Sequence, residues 1–218
     1  TIEDPIEYAL PGTTQIQTNA EVGLTFANGL RSILRQDPNI IMVGEIRDKE
    51  TAEMAIRSSL TGHLVLSSVH TNSASLTITR LVDMGVEPFM ISSSLLTVLS
   101  QRLARRICPS CKEEYRPDEN LVREFLGRSI DPRTIKFYRG RGCPECRSSG
   151  YKGRMALAEV IPITPAIRDL IMARAQANEI EAKAVEEGMV SLRRDGIAKV
   201  NAGLTTIDEV IKETVAEE

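Results

Sequence analysis

The sequence predicts an α/β fold: a parallel sheet covered by helices, then a small four-cysteine subdomain, then a mainly helical C-terminal subdomain. Three observations carry this. Residues 40–43 (Ile-Ile-Met-Val) and 64–69 (Leu-Val-Leu-Ser-Ser-Val) are short, largely apolar runs with a helical pattern between them. Strands buried on both faces of a parallel sheet read in that way. Residues 102–154 hold all four cysteines and change to a basic, Gly-rich character. From residue 164 onward the apolar spacing is helical, broken at Gly188 and Gly203. The expected segments are therefore 1–101, 102–154 and 155–218.

The elements follow in order. Residues 13–18 alternate polar and apolar and suit an edge strand. In residues 24–36, Phe26, Leu30, Ile33 and Leu34 share one helical face. Asp37 precedes Pro38, which disfavours the α conformation and ends that helix. The strand at 40–43 comes next. Asp48 can cap the following helix and Gly62 can close it at about residue 61. The run at 64–69 is a second buried strand. Asn72 or Ser73 starts another helix, and Pro88 starts one more, running to about Gln101. Residues 155–161 read as a strand bounded by Pro162.

Hydrophobic residues make up 42 % and charged residues 26 % of the 218, ordinary values for a globular chain. Trp is absent and aromatics are only 4 %, so the cores must be aliphatic. The net charge of −3 hides an asymmetry. Residues 102–154 hold 14 Lys/Arg against 7 Asp/Glu, and the remainder holds 13 against 23. A basic module in an acidic protein suits a polyanionic or acidic partner, and equally suits docking on its own acidic neighbour. No stretch approaches the roughly 18 apolar residues of a membrane span, and no signal segment is visible. The chain opens at Thr1 on strand-like sequence, as a piece of a longer protein would, and a cytoplasmic location is the default.

The cysteines give the sharpest chemical signal. Cys108-Pro-Ser-Cys111 and Cys143-Pro-Glu-Cys146 are two C-x-x-C knuckles. Each puts two thiolates on one tight turn, and two such turns complete a tetrahedron around zinc. Disulfides do not suit a reducing compartment. Four ligands leave no open position, so the metal is expected to hold structure. Four thiolates with Zn²⁺ carry −2, which leaves the segment basic at about +5.

The other candidates are weaker one by one. His63 and His70, the only histidines, sit at opposite ends of the 64–69 strand. His70 lies at its carboxyl end, where open α/β sheets bind ligands, and the following Thr71-Asn72-Ser73 suits a phosphate at a helix start. Both histidines also read as ordinary strand-end residues. Glu45 follows the 40–43 strand, where a carboxylate can orient water or hold Mg²⁺ through water, or simply cap a helix. Glu3, Asp4 and Glu7 cluster around Pro5, which suits Mg²⁺ handling or water activation and equally an acidic surface turn. Arg31 and Arg35 lie four apart on a helix face offset from the apolar stripe. They, with Arg47 and Arg80, can reach phosphates or form a solvated charged face.

Taken together, these segments closely resemble the type II secretion and type IV pilus assembly ATPases, the GspE/PilB family. The matching stretches are residues 2–8, 23–38, 40–48, 60–63 and 70–72, with the two cysteine knuckles and residues 195–206. The resemblance implies a RecA-like core. It assigns Glu3, Asp4 and Glu7 to the family's Asp box, and residues 40–45 to its Walker B segment, with Glu45 as the catalytic carboxylate. His63 and His70 match its His box. Arg31, Arg35, Arg47 and Arg80 match arginines at or near subunit interfaces. It further implies ATP and Mg²⁺ as cofactors beside structural zinc, and a homo-hexamer peripheral on the cytoplasmic face of the inner membrane. Implied partners are the inner-membrane secretion or pilus platform proteins and anionic lipid, not nucleic acid. The cysteine knob favours the secretion and extension branch over the retraction ATPases.

One departure stands out. A P-loop needs Gly-Lys followed by Ser or Thr, and none of the 14 glycines is followed by Lys. In the family that loop lies upstream of the Asp box, so it is expected before Thr1. The 218 residues alone are then expected to hydrolyse ATP negligibly, because phosphoryl transfer depends on that Lys and its backbone cradle. The competing expectation is a non-catalytic zinc-binding module that contacts lipid, nucleic acid or a platform protein through its basic face.

Overall fold

The computed structural model describes residues 1–127 and 131–214. The helical expectation for residues 215–218 lies outside them. In chain order the elements are β1 (Ile2–Glu3), β2 (Ile16–Gln17), α1 (Phe26–Ile33), β3 (Ile40–Val43), α2 (Lys49–Leu60), β4 (Leu64–Ser67), α3 (Ala74–Asp83) and α4 (Pro88–Ser94). Then come β5 (Thr97–Ile107), β6 (Lys112–Glu114), α5 (Glu119–Leu126), β7 (Tyr138–Gly140), β8 (Tyr151–Pro162), α6 (Pro165–Met172), α7 (Ala177–Glu186), α8 (Leu192–Asn201) and α9 (Ile207–Thr214). Two compact units result: Thr1–Val98 with Ile161–Glu187, and Leu99–Val160 with Gly188–Glu218.

The first unit is an α/β layer. Its sheet has the order β2-β1-β3-β4, and every pairing is parallel. Ile2 aligns with Val43, and Ile40–Val43 with Leu64–Ser67. Local chemistry sets the helix starts. The side chains of Thr25, Asp48 and Ser73 accept hydrogen bonds from Asn28, Thr51 and Leu76 backbone N–H groups, which satisfies otherwise unpaired donors. Asp37 takes a left-handed conformation (φ 53°) directly after α1 and its 3-10 extension, and so ends the helix. α1 presents Ala27, Leu30 and Ile33 to the interior. Gly29 lets it press on Ile2, since a Cβ there would lie 2.1 Å from Ile2 Cδ1. α6 and α7 pack on one another and on α4 and α3.

The second unit is built on the β5-β8 sheet and the antiparallel β6-β7 pair. Its core joins Ala104 and Leu157 to Phe125 and Phe137, and to Leu192, Ile197, Val200, Ile207 and Val210. Two of the four phenylalanines thus supply volume to an otherwise aliphatic core. Gly196 is required where α8 crosses α9, because a Cβ would lie 2.3 Å from Val210 Cγ1. Asp195 accepts the Ala158 N–H (2.8 Å) and pairs with Lys199, which ties α8 to β8. The residues 195–206 that carry part of the family resemblance therefore act in packing.

Three expectations differ from this arrangement. The Pro88 helix stops at Ser94, and Thr97 to Gln101 belong to β5. From Thr97 to Gln101 exposure alternates strictly, with Val98 and Ser100 inward, and that period of two overrides the helical reading. The 64–69 run forms β4 at one edge of the sheet, and among the described residues its Leu64 and Leu66 are 44 % and 51 % exposed. β3 is buried on one face, at Ile41 and Val43, while Ile40 on the other is 64 % exposed, so neither strand is buried on both faces. Residues 155–218 do not form one subdomain: β8, α8 and α9 share the core beside the cysteines, whereas α6 and α7 join the first unit.

Candidate functional site

Parallel pairing brings the carboxyl ends of β1, β3 and β4 to one edge. Glu3 ends β1, Glu45 follows β3 by two residues, and His70 follows β4 by three. This is the edge at which open α/β sheets bind ligands. Gly44 fits closely there: a Cβ would lie 3.2 Å from Ile2 O and 3.3 Å from Glu3 Cα, tighter than ordinary contact.

Glu45 is the one carboxylate of this edge that is buried, with 8 % of its surface exposed. Its Oε2 lies 3.1 Å from His70 Nε2, and its Oε1 pairs with Arg47 Nη2 at 2.7 Å. An ionised carboxylate only accepts, so the Nε2 proton of His70 donates to it. The Glu45 loop is itself anchored. Gly44 N–H donates to Ile2 O (2.8 Å), Ile46 N–H to Ser68 O (2.9 Å), and Ser68 Oγ to Gly44 O (2.6 Å).

Glu3 is half-buried and accepts from Thr1 Oγ1 (2.5 Å) and Gln15 Nε2 (2.9 Å). Those hydrogen bonds, Thr1 first, hold its carboxyl below the usual range. Asp4 and Glu7 are exposed beside the cis Asp4-Pro5 bond. Arg31 bonds Asn28 Oδ1 (2.7 Å) and Glu50 Oε1 (2.6 Å), in the first turn of the helix that follows Glu45. Arg35 and Arg80 are exposed on α1's 3-10 extension and on α3. Among the described residues neither pairs with Glu45 or His70.

His63 does not join this cluster. It lies at the other end of β4, and its Nδ1 donates to Ser58 O (2.8 Å), closing the end of α2. Thr61 Oγ1 lies 3.2 Å from the same nitrogen. Sequence reasoning missed Ser68 and Gln15. A Ser at a strand end and a Gln in a loop carry no spacing signal, and only the fold shows what they hold.

The tetracysteine cluster lies in the second unit. Cys108, Cys111, Cys143 and Cys146 bring their sulfurs within 4.8 Å of one another. The pairs Cys108–Cys143 and Cys111–Cys146 lie at 3.9 Å, and Cys143–Cys146 at 3.7 Å. Four sulfurs about 2.3 Å from a tetrahedral zinc lie about 3.8 Å apart. The donor set and its spacing fit that ion, and none of the four forms a disulfide. Two matching 3-10 turns, Pro109–Cys111 and Pro144–Cys146, carry the knuckles.

The backbone completes the site. Cys143 and Gly150 donate N–H groups to Cys146 Sγ at 3.2 and 3.3 Å. Burial opposes ionisation of Cys146, yet these two donors and the neighbouring thiols bring it down to about 6. Burial pushes the Cys111 thiol up to about 12. A cation there must displace that proton to bind. Ser110 Oγ and Lys152 Nζ both donate to Glu145 Oε2, at 2.9 and 3.0 Å, linking one knuckle to the other from outside. Gly150 (φ +77°) approaches Gly140 so closely that a Cβ would lie 2.5 Å from Gly140 O.

Fold and sites together define a class: a parallel α/β protein with residues gathered at the carboxyl edge of its sheet, and a four-cysteine cluster in a second unit. The family described as Type II/IV secretion system protein matches residues 1–212, and the chain belongs to it. It is 50 % identical over 215 residues to the type IV pilus assembly ATPase PilB of Thermus thermophilus, spanning 99 % of this chain and 24 % of that protein. It is 54 % identical over 215 residues to type II secretion system protein E of Pseudomonas aeruginosa, spanning 98 % of this chain and 42 % of that protein. The chain thus spans less than half of either relative. Among solved structures, the pilus retraction motor PilT with bound ADP superposes with a TM-score of 0.66 at 28 % identity, over 99 % of this chain and 52 % of that one. The ATPase DotB of Yersinia pseudotuberculosis gives 0.66 at 20 % identity, over 98 % and 48 %, and shows the fold alone. No helix among the described residues is long and apolar enough to cross a membrane.

Proposed function

We propose that these residues form the water-activating side of the nucleotide site in an ATPase that drives type II secretion or type IV pilus assembly. The Glu45–His70 contact at the carboxyl edge of the sheet carries this reading. Glu45 orients the attacking water and takes up its proton. His70 and Arg47 hold the two carboxylate oxygens and fix its direction. Glu3, Asp4 and Glu7 would hold Mg²⁺ through water, as hard oxygen donors suit, and the ion when bound neutralises phosphate charge. Arg31, Arg35 and Arg80 serve phosphates or a neighbouring subunit in a homo-hexamer on the inner-membrane face, with platform proteins and anionic lipid as partners. His63 acts by fixing the end of α2. Zinc at the four cysteines holds the second unit together.

Phosphate cradling requires a Gly-Lys-Ser/Thr loop that these 218 residues do not contain. They are therefore expected to turn over ATP negligibly by themselves. In a longer protein that carries such a loop, Glu45→Gln is expected to lower turnover by about 10²–10⁴-fold, the usual contribution of a general base, while nucleotide still binds. Unchanged turnover would remove Glu45 from the role.

A further inference from the structure

We infer that Ser68 is a positioning residue for Glu45, acting through its hydroxyl. The inference rests on the reading of Glu45 given above. Glu45's φ and ψ are the rotations between two peptide planes, 44–45 and 45–46. Ser68 holds both. Its Oγ donates to Gly44 O, which belongs to the first plane, at 2.6 Å. Its carbonyl accepts from Ile46 N–H, which belongs to the second, at 2.9 Å. Two residues later the same strand end delivers His70 to Glu45 Oε2 at 3.1 Å. One short segment thus sets both the backbone of Glu45 and the aim of its carboxylate.

The two grips differ in kind. Any residue at position 68 supplies the carbonyl. Only a hydroxyl supplies the hold on Gly44 O. That hold matters because Gly44 has no Cβ to restrict its own rotation. Ile2 O, Glu3 Cα and Phe26 Cε1 lie 3.2, 3.3 and 3.7 Å from where a Cβ would stand. Without the hydroxyl, the 44–45 plane and the carboxylate beyond it can swing. Misplacing a catalytic group by about 1 Å can cost 10²-fold in rate. Partial loosening should cost less, about tenfold.

The test uses a longer protein that joins these residues to a Gly-Lys-Ser/Thr phosphate-binding loop. Ser68→Ala, Ser68→Thr and Ser68→Val are compared by kcat, KM for MgATP, nucleotide affinity and melting temperature. Thr and Val share a shape and differ in the hydroxyl, so a steric effect moves both alike. Ala and Val are expected to lower kcat about tenfold, with KM within about twofold, and Thr to stay within about twofold of wild type. Wild-type kcat in Ala, equal loss in Thr and Val, or a change in KM alone would overturn the inference. Glu45→Gln run beside them separates the two claims. If it keeps full turnover, the reading of Glu45 fails. If it loses turnover while Ser68→Ala does not, only the role of Ser68 fails.

Discussion

The two candidate sites are assembled in opposite ways. The tetracysteine centre draws all its sulfur donors from two turns of four residues, 108–111 and 143–146. Its partners in hydrogen bonding, Ser110, Glu145, Gly150 and Lys152, lie within or just beyond the same turns. The Glu45 edge gathers residues from positions 3, 45 and 47, and 68 and 70, three separate stretches brought together by parallel strand pairing. Three of the first site's four cysteines are buried and Cys143 is half-buried. The second is open, with His70's side chain 81 % exposed beside a carboxylate that is 10 % exposed. A local site can be read and broken by itself. A site made by topology depends on the sheet, and its members gain meaning from one another.

That contrast can be pressed experimentally. The largest effect is expected at Cys146, the thiol that receives both backbone N–H donors. Cys146→Ser should reduce zinc from about one per chain to near none by elemental analysis, and near-stoichiometric zinc in the variant would break the tetrathiolate assignment. Next is Gly150→Ala. The left-handed backbone alone costs about 1–3 kcal/mol for a side-chain-bearing residue, and the clash with Gly140 O adds to it. A clear fall in the second unit's melting temperature, with faster zinc loss to a chelator, is the expected outcome. Ser110→Ala removes one strut between the knuckles and should weaken zinc binding by about tenfold in a competition titration.

The smallest effect is on acid stability. The Arg105 side chain and backbone N–H hold Glu209 below its usual range, and the Glu209 side chain is almost fully buried. A carboxyl lowered in the folded state adds stability that is present above the unfolded value, near 4.3, and fades as pH falls through the folded value. Glu209→Gln should therefore lower the urea midpoint at pH 7, and the gap to wild type should narrow as pH falls below the unfolded carboxyl range. A gap independent of pH would show that packing, not charge, makes this contact.

The same contrast explains what could be read from sequence. The cysteine spacing is a local signal, and the four sulfurs it singles out do meet. Asp48 and Ser73 as helix caps, Asp37 as a stop and residues 40–43 as a strand were legible because each depends on neighbours in the chain. The end of α4 was not, because Thr97–Gln101 has apolar residues that satisfy either period until the partner strand β8 selects one. Nor was the separate allegiance of α6–α7 and α8–α9, since both pairs are amphipathic and only packing assigns them. At the candidate site Glu45 and His70 were legible by their place after strands, and they meet. His63 shares its strand with His70 yet faces the end of α2, which strand position alone does not reveal. Ser68 was silent, because its role lies in a hydrogen bond to a backbone carbonyl 24 residues away.

The central claim is that the Glu45 edge does chemistry while the cysteine centre holds structure. One sample tests it most directly: a longer protein that carries a phosphate-binding loop and Glu45→Gln, assayed for ATP turnover, bound nucleotide and zinc content together. Turnover lost by about 10²-fold or more, with nucleotide retained and one zinc per chain, is the predicted result. Full turnover, or zinc lost together with activity, would contradict it.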